Sequence, residues 1–353
     1  MQPVGGVSRY FTELIRALHA TGSIEPVVFA GFHSSSLLAS LCDVGVQVTG
    51  LRLPCRAYPQ RAFSFINNLA LKRFAASVHP DIYHATYYHP IDTTLGLPLF
   101  VTVHDMIAEL YPLPAGVADP TPARKLAAAT AASRVICVSK HTEKDLLLLH
   151  PHLAGKTSVV HHGSSFPGKP RPATPLASPY LLYVGQRGGY KNASLLYEVM
   201  QSPLCRGLHL VFLGGETPTP AELEHVLGDR VMFVPRCSDE DLATWYRYAI
   251  ALVYPSRYEG FGMPPLEAMH SGCPVLASNA SSLPEVVGEA GLLLDPVRPE
   301  NWAVAIGQVF SDKSLQLKLS AAGQERAGRF TWARCATQVA TLYQDVFRDA
   351  IKG

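Results

Sequence analysis

The sequence lacks the features that mark several common classes of protein. Its seven cysteines are scattered and none forms a C-x-x-C pair, which argues against a disulfide framework and against a zinc site. No apolar run reaches the roughly 18 residues that a transmembrane helix requires. The first residues do not form the apolar core of a secretory signal. These absences predict a protein of the reducing cytoplasm.

The sequence also has little excess of positive or negative charge, because its formal net charge at pH 7 is only +2. So small an excess argues against bulk binding to nucleic acid. The 353 residues are 48% hydrophobic and 16% charged, which is enough apolar material for the cores of two α/β domains of ordinary size.

Strand-like and helix-like segments alternate along the chain, and this alternation predicts parallel sheets covered by helices. Residues 165–179 are rich in proline, serine and glycine, as expected of a linker between domains. We therefore expect an N-terminal domain over residues 1–164, a C-terminal domain over residues 180–331 and an amphipathic helix over residues 332–353.

The most informative stretch lies between two glutamates, Glu259 and Glu267, which flank the run Gly-Phe-Gly-Met-Pro-Pro-Leu. The apolar segment 249–254 before it has the length and composition of a strand. The glycines allow the backbone to approach a ligand closely, and the paired prolines suit the first turn of a helix. A helix N-terminus offers unpaired N–H groups and a partial positive charge to an anion. The segment therefore predicts a site for phosphates and hydroxyl groups; the alternative is an ordinary strand-turn-helix with surface glutamates.

This segment resembles the sugar- and nucleotide-binding motif of the retaining family-4 glycosyltransferases. In that motif two glutamates are separated by seven residues that include Gly-Phe-Gly and Pro-Pro-Leu. The resemblance implies an α/β fold of the GT-B type, in which two Rossmann-like doubly wound domains face a cleft. It also implies that the C-terminal domain binds the nucleotide sugar, that the N-terminal domain binds the acceptor, and that the final helix packs back onto the N-terminal domain.

The resemblance assigns a role to each part of this motif. Glu267 is expected to bind the ribose hydroxyl groups, and Glu259 to contact the sugar near its reacting carbon. Backbone N–H groups of the glycine run are expected to bind the donor sugar. Together with two further glycine segments, the implied donor-binding residues are Gly5, Gly6, Gly185, Gly260, Phe261, Gly262, Met263 and Glu267.

These two further segments precede helix-like stretches. Gly5 and Gly6 alone are as consistent with a plain turn as with a phosphate loop, but the family has a similar loop facing the donor diphosphate. Lys191 follows Gly185 at the place of the family's phosphate-binding lysine. A lysine there would stabilise the departing diphosphate; the alternative is a solvated surface lysine.

An arginine usually accompanies that lysine in the family, either just before it or just after the glycine. This chain has Tyr190 and Gln186 at those places and Arg187 one place later, so the arginine role is assigned to Arg187. The last residue to which the resemblance assigns a catalytic role is His104, which ends a strand-like segment. The implied catalytic residues are therefore His104, Glu259, Arg187 and Lys191.

His104 stands in the sequence Thr-Val-His-Asp. A lone histidine is more often structural than catalytic. The family, however, has a His-Asp pair at this place, and its histidine contacts the transferred sugar. Asp105 is expected only to cap or to orient.

The sequence Asp239-Glu240-Asp241 has the form of the D-x-D metal motif of the other large class of glycosyltransferases. It follows Ser238, however, in a pattern typical of a helix N-terminus with a capping serine and carboxylates in the first turn. No other cluster of metal ligands is evident in the sequence. We therefore expect a metal-independent reaction with no metal site and no cofactor beyond the nucleotide-sugar donor.

Basic and aromatic residues cluster in the N-terminal domain. The cluster predicts either a membrane-surface or lipid-acceptor patch, or a solvated helix face above a core stripe. A second group, of aromatic residues, either stacks on an acceptor sugar or only packs within the protein or forms a turn. The basic cluster is Arg52, Arg56, Arg61, Lys72 and Arg73 with Phe63, Phe65, Ile66 and Phe74, and the second group is His84, Tyr87, Tyr88 and His89.

The combined motifs most resemble bacterial mannosyltransferases of surface-polysaccharide assembly. GDP-mannose is therefore the first candidate donor and a UDP-sugar the second. The resemblance implies retention of anomeric configuration, through attack of an acceptor hydroxyl on the face from which the leaving group departs. It also implies a glycan or lipid-linked glycan acceptor, met by a cytoplasmic enzyme in peripheral contact with the inner membrane.

The start of the chain departs from the family pattern. Family members have a buried strand before the glycine loop, whereas here Gly5 stands close to Met1. That strand is normally central in a doubly wound sheet, so its loss would expose two strand edges and leave the glycine loop unanchored, unless the start is misplaced or clipped or those edges pair differently. The alternative hypothesis is a non-catalytic or partner-dependent sugar-nucleotide-binding protein. A GT-B epimerase or phosphorylase is less favoured, because no segment resembles a pyridoxal-phosphate site.

Overall fold

The chain forms two compact units. A computed structural model describes residues 5–52, 60–88, 93–114, 116–164, 168–224 and 228–352. The first unit comprises Met1–Val138, Glu143–Gly163 and Trp332–Gly353, and the second comprises Ser139–Thr142 and Ser164–Thr331. Residues 165–167 of the expected linker lie outside the described residues, and residues 168–179 form neither helix nor strand.

Strands and helices alternate in both units. The strands are β1 (Val27–His33), β2 (Gln47–Arg52), β3 (Tyr83–Ala85), β4 (Leu99–Val103), β5 (Arg134–Cys137), β6 (Thr157–Val159), β7 (Tyr180–Val184), β8 (His209–Leu213), β9 (Val231–Val234), β10 (Ala251–Tyr254), β11 (Val275–Ser278) and β12 (Leu292–Leu294). The α-helices are α1 (Gly6–Ala20), α2 (Ala39–Cys42), α3 (Gln60–Val78), α4 (Ile107–Leu110), α5 (Thr121–Ala131), α6 (Lys140–Leu149), α7 (Leu195–Gln201), α8 (Pro220–Glu224), α9 (Asp239–Tyr248), α10 (Met263–His270), α11 (Leu283–Val287), α12 (Pro299–Ser311), α13 (Lys313–Ala327) and α14 (Trp332–Lys352).

The second unit contains one parallel sheet with the strand order β12-β11-β10-β7-β8-β9. The chain enters at the central strand β7, builds outward to β9, then crosses to β10 and builds outward in the other direction, which is the doubly wound order. Both β10 and β11 are buried along their whole length, as expected of parallel strands covered by helices on both faces. The expected α/β doubly wound fold is therefore confirmed in this unit.

The first unit divides its strands between two parallel sheets. One has the order β3-β4-β5-β6, with β4 buried throughout, and the other is the pair β1-β2. Among the residues that the structure describes, β1 and β3 each pair along one edge only.

The last helix, α14, belongs to the first unit and packs against α1. Its buried residues recur every three or four positions, which places them on one face. That face shares a core cluster with the apolar face of α1. The cluster includes Tyr10, Phe11, Leu14 and Leu18 from α1 and Trp332, Cys335, Val339 and Tyr343 from α14.

Gly163 lies against the first residue of α14, which leaves no room for a side chain. A Cβ atom at this position would lie 2.3 Å from the backbone nitrogen of Trp332 and 2.5 Å from its Cα. We expect Gly163→Ala to lower the free energy of unfolding by about 3 kcal/mol, because the backbone must shift to admit the methyl group. Urea-induced unfolding followed by circular dichroism measures the change.

Gly6→Ala is the matched control in the same unit, since a Cβ at Gly6 meets no atom within 4 Å. We expect this variant to unfold close to the wild-type midpoint. Equal midpoints for the two variants would contradict the close packing at Gly163.

Candidate active site

The sheet order of the second unit singles out the carboxyl ends of β7 and β10. These two strands are neighbours, paired through Leu181 with Ala251 and Leu182 with Leu252. The strand order reverses between them, and such a switch point leaves a crevice where ligands of doubly wound sheets bind. The segment after β7 carries Lys191, and the segment after β10 carries Glu259. The topology therefore brings together two site residues that lie far apart in the sequence.

Lys191 and Glu259 form an ion pair at this switch point. Lys191 Nζ lies 2.7 Å from Glu259 Oε1 and 3.2 Å from the hydroxyl oxygen of Tyr254. The side chains are only 15% and 10% exposed, so solvent screens the pair weakly. Burial disfavours the charge on Lys191, but the adjacent carboxylate more than offsets this effect, and the pKa of Lys191 is raised. A diphosphate that binds Lys191 must therefore compete with Glu259 for the ammonium group.

Hydroxyl groups hold the backbone between the two glutamates. The carbonyl oxygen of Gly260 accepts hydrogen bonds from Ser139 Oγ at 2.7 Å and from Thr142 Oγ1 at 3.0 Å. Ser281 Oγ donates to the carbonyl oxygen of Glu259 at 3.0 Å and accepts from the N–H of Glu259 at 2.7 Å. The contacts of these hydroxyl groups were missed from the sequence, because a single serine or threonine carries no signal of a distant partner.

Ser282 completes this support and fixes the direction of the peptide groups. Its Oγ lies 2.8 Å from the carbonyl oxygen of Glu259 and 2.7 Å from that of Phe261. In a trans peptide the N–H points away from the carbonyl group of the preceding residue. The N–H groups of Gly260, Phe261 and Gly262 therefore point away from the hydroxyl groups that hold the carbonyl oxygens. These are the three N–H groups that the family resemblance assigns to the donor sugar.

Helix α10 begins directly after this run. Gly262 precedes it with φ of +115°, a left-handed conformation that favours glycine, and the two prolines occupy the first turn as expected. Met263 is the first helical residue, and Glu267 lies one turn further on. The carboxylate of Glu267 accepts a hydrogen bond from the hydroxyl group of Tyr246, with 3.2 Å between the oxygens.

Arg187 forms hydrogen bonds with the segment that follows β8. Its Nε lies 2.6 Å from Glu222 Oε1, and its terminal nitrogens donate to the carbonyl oxygens of Gly214 at 3.2 Å and Glu216 at 2.7 Å. The guanidinium group also lies over the ring of Phe233, 5.1 Å from its centre. These contacts place Arg187 in a supporting position, so contact with a diphosphate would require some of them to break. Its assigned role in catalysis stays a prediction.

Glu222 is the charged partner of Arg187. Burial acts to raise the pKa of Glu222, but the hydrogen bonds from Arg187 and Thr219 outweigh it, and the net result is a lowered pKa. Arg187, Glu222 and Lys191 line one cavity of 630 Å³. The loops after β7 and β8 therefore form one polar wall beside the switch point.

His104 lies in the first unit, just after β4. Its backbone N–H donates to the hydroxyl oxygen of Tyr88 at 3.3 Å, and its ring packs edge-on against that of Tyr10, with 5.0 Å between ring centres. Its Nε2 is buried and has no hydrogen-bond partner among the described residues. Burial and then the nearby Lys125 lower the pKa of His104 to about 3. The imidazole is therefore neutral near pH 7.

Asp105, the neighbour of His104, acts locally. Its Oδ1 accepts from the N–H of Ile107 at 3.0 Å, at the start of α4, and its carbonyl oxygen accepts from Lys125 Nζ at 2.7 Å. These contacts agree with the orienting role that was one of the two expected from the sequence.

The remaining glycines of the predicted set lie at the ends of secondary-structure elements. Gly5 precedes α1 in an extended conformation and accepts from the N–H of Arg9 at 3.0 Å. Gly185 has φ of +126°, which favours glycine, and its N–H donates to the carbonyl oxygen of Leu213 at 2.9 Å. No neighbouring side chain requires Gly6 to be glycine. Contact of these three residues with a phosphate stays a prediction.

The acidic run at 239–241 starts a helix. Ser238 is the N-cap of α9, and its hydroxyl oxygen accepts from the N–H of Asp241 at 3.1 Å. The capping interpretation is therefore confirmed. Within the described ranges, no group of three or more histidine, cysteine, aspartate or glutamate residues is arranged to hold a metal ion.

The basic cluster and the aromatic group of the first unit are described only in part. Arg56 and His89 lie outside the described residues, as do the side chains of Arg61, Phe63 and Phe65. Lys72 and Arg73 are exposed on α3, and His84 and Tyr88 pack internally against Thr102. Among the described helices, none is both long enough and apolar enough to cross a bilayer. Contact of the basic cluster with a membrane stays a prediction.

The fold is that of known GT-B enzymes. Sucrose-phosphate synthase from Thermosynechococcus elongatus superposes with a TM-score of 0.76 at 25% sequence identity, over 98% of this chain and 94% of that chain. Anabaena Alr3699/HepE, solved in complex with UDP-glucose, superposes with a TM-score of 0.72 at 16% identity, over 97% and 96% of the two chains. The chain therefore has the GT-B fold.

Two family profiles match the sequence. Residues 4–164 match the family described as Glycosyltransferase Family 4, and residues 169–326 match the family described as Glycosyl transferases group 1. The chain belongs to these glycosyltransferases.

Curated relatives match over part of their length. The O-antigen chain mannosyltransferase B of Escherichia coli is 32% identical over 60% of this chain and 61% of that protein. A D-inositol 3-phosphate glycosyltransferase of Corynebacterium diphtheriae is 30% identical over 48% of this chain and 43% of that protein. The chain thus spans less than two-thirds of the length of these relatives.

Proposed function

We propose that this glycosyltransferase transfers mannose from GDP-mannose to a hydroxyl group of a glycan or lipid-linked glycan, with retention of configuration and without a metal ion. The observation that carries the proposal is the grouping of Lys191, Glu259 and the glycine run at the carboxyl ends of β7 and β10. A relative named as a mannosyltransferase supports the choice of mannose. A UDP-sugar is the second candidate donor.

The leaving group of this reaction is a nucleoside diphosphate, which gains negative charge as the bond to the sugar breaks. In the proposed mechanism Lys191 and the N-terminus of α10 stabilise that charge. A cation on the protein replaces a metal ion in this role. Arg187 would contribute to this stabilisation indirectly, through the loop with which it forms hydrogen bonds.

The sugar develops positive charge at its anomeric carbon in the transition state. Glu259 lies against Lys191 and would stabilise that charge once the diphosphate draws the ammonium group away. His104 is proposed to accept a hydrogen bond from a sugar hydroxyl group through Nε2. Its neutral state suits this role, because an imidazolium ion would oppose the charge on the sugar.

The test is titration of the purified chain with GDP-mannose, UDP-glucose and UDP-N-acetylglucosamine in the presence of EDTA. We expect saturable binding of GDP-mannose. Binding of a UDP-sugar alone would change the assigned donor. Binding of no donor by folded protein would contradict the proposal and favour the non-catalytic or partner-dependent alternative.

Glu267→Gln is expected to weaken binding of the donor by at least about 30-fold, because a neutral amide replaces a charged acceptor of two hydroxyl hydrogen bonds. Calorimetric titration measures the change. Glu300→Gln is the control, since Glu300 is 63% exposed and pairs only loosely with Arg298 at 3.6 Å. Equal donor affinity in the two variants would remove Glu267 from the site.

A further inference from the structure

Glu267 accepts a hydrogen bond from a residue that neither the sequence motif nor the proposed mechanism includes. Tyr246 lies on α9 and is fully buried, whereas Glu267 lies on α10 and is half-buried. The contact therefore depends on how two helices pack around β10, the strand between them in the chain. It cannot arise within one helix.

The direction of this hydrogen bond is fixed by the ionisation of the two groups. Burial, followed by the charge of Glu267, raises the pKa of Tyr246 well above its ordinary value. The phenol therefore keeps its proton and donates, and Glu267 Oε2 accepts. A carboxylate oxygen has two lone pairs, so Oε2 can accept from Tyr246 and from a ligand hydroxyl group at the same time.

A glutamate side chain has three rotatable bonds, and binding a ligand with it requires those bonds to be ordered. A donor held rigidly in the core orders them before the ligand arrives. Two vicinal hydroxyl groups, as in a ribose, match the two oxygens of one carboxylate only when the carboxylate plane has the right orientation. The buried phenol of Tyr246 lies within hydrogen-bond distance of one of these oxygens, 3.2 Å away, and is placed to set that orientation.

We propose that Tyr246 is a positioning residue that orients the carboxylate of Glu267 to accept hydrogen bonds from the two ribose hydroxyl groups of the donor nucleotide. This inference rests on the proposed function, because it needs a nucleotide at Glu267. It extends that function to a residue in the core of the second unit, which does not itself contact the substrate.

A purely structural role is the competing explanation, since a buried phenol needs some hydrogen-bond partner. Tyr180 illustrates that case in the same unit. It is equally buried, and its hydroxyl group donates to the backbone carbonyl oxygen of Trp245 at 2.8 Å. Tyr180→Phe therefore removes a buried hydroxyl group without touching Glu267 and is the matched control.

The experiment measures the affinity for GDP and for 2′,3′-dideoxy-GDP in the wild type, Tyr246→Phe, Tyr180→Phe, Glu267→Gln and the double variant Tyr246→Phe/Glu267→Gln. We expect Tyr246→Phe to weaken binding of GDP about 10-fold and to leave binding of the dideoxy nucleotide within about 2-fold. We expect Tyr180→Phe to change neither. We also expect the double variant to bind GDP no more weakly than Glu267→Gln, because the two residues act through one interaction.

Three outcomes would overturn the inference. Equal weakening for GDP and the dideoxy nucleotide would show a structural effect. Additive losses in the double variant would show that the two residues act independently. Wild-type affinity in Tyr246→Phe, beside a loss in Glu267→Gln, would leave the proposed function standing and remove Tyr246 from it, whereas absence of nucleotide binding by the wild type would overturn both.

Discussion

Lys191→Met is expected to lower the rate of sugar transfer about 10³-fold, because it removes the cation that stabilises the departing diphosphate in a site shielded from water. The methionine keeps the length and the apolar stem of lysine, so the change is mainly one of charge. Single-turnover transfer, or hydrolysis of the donor, measures the rate at saturating donor. Lys318→Met, at an exposed position on α13, is expected to behave as the wild type.

Loss of Lys191 also leaves Glu259 buried without its ion-pair partner, and this lowers stability as well as activity. The double variant Lys191→Met/Glu259→Gln separates the two effects. Because it removes both charges, we expect it to unfold closer to the wild type than Lys191→Met does, while transferring sugar no faster, since Glu259 is itself assigned to the reaction. Recovery of activity together with stability would show that Lys191 serves the fold and not the reaction.

The parts of the site that were predicted best from the sequence are those that depend on residues close together in the chain. The strand, the glycine turn and the helix start around Gly262 follow from residues that are adjacent in the chain, and the structure has them where they were expected. The capping serine before α9 is a signal of the same kind. In each case the physical cause lies within a few residues of its effect.

The parts that the sequence did not predict depend on contacts between distant elements. The pair of Lys191 and Glu259 exists because β7 and β10 are neighbours in the sheet, which no local pattern encodes. The role of Arg187 toward the donor stays a prediction, but its contacts with the segment after β8 depend on which carboxylate and carbonyl groups the fold brings to it. The contact of Tyr246 with Glu267 has the same origin.

As the pH is lowered, the first unit is expected to lose stability at pH values well above those at which its carboxylates are protonated. Burial, followed by the nearby His104, lowers the pKa of His84 to about 3, and the pKa of His104 is lowered to about 3 as well. Below the unfolded pKa of about 6.5 the unfolded chain binds protons that the folded unit does not, so stability falls as the pH falls. Each histidine costs roughly 1.4 kcal/mol per pH unit, which gives about 5 kcal/mol for the two at pH 4.5.

Urea-dependent hydrogen exchange of β4 and β5, measured between pH 7 and 4.5, reports the stability of this unit. His104→Asn is expected to reduce the loss of stability over that range but not to abolish it, since His84 and His162, whose pKa values burial also lowers, still resist protonation. His152→Gln, at an exposed position of the same unit, is expected to leave the loss unchanged. A loss that starts only below about pH 4, where carboxylates titrate, would contradict the neutral state of His104. It would thereby also contradict the proposal that a neutral imidazole accepts a hydrogen bond from the transferred sugar.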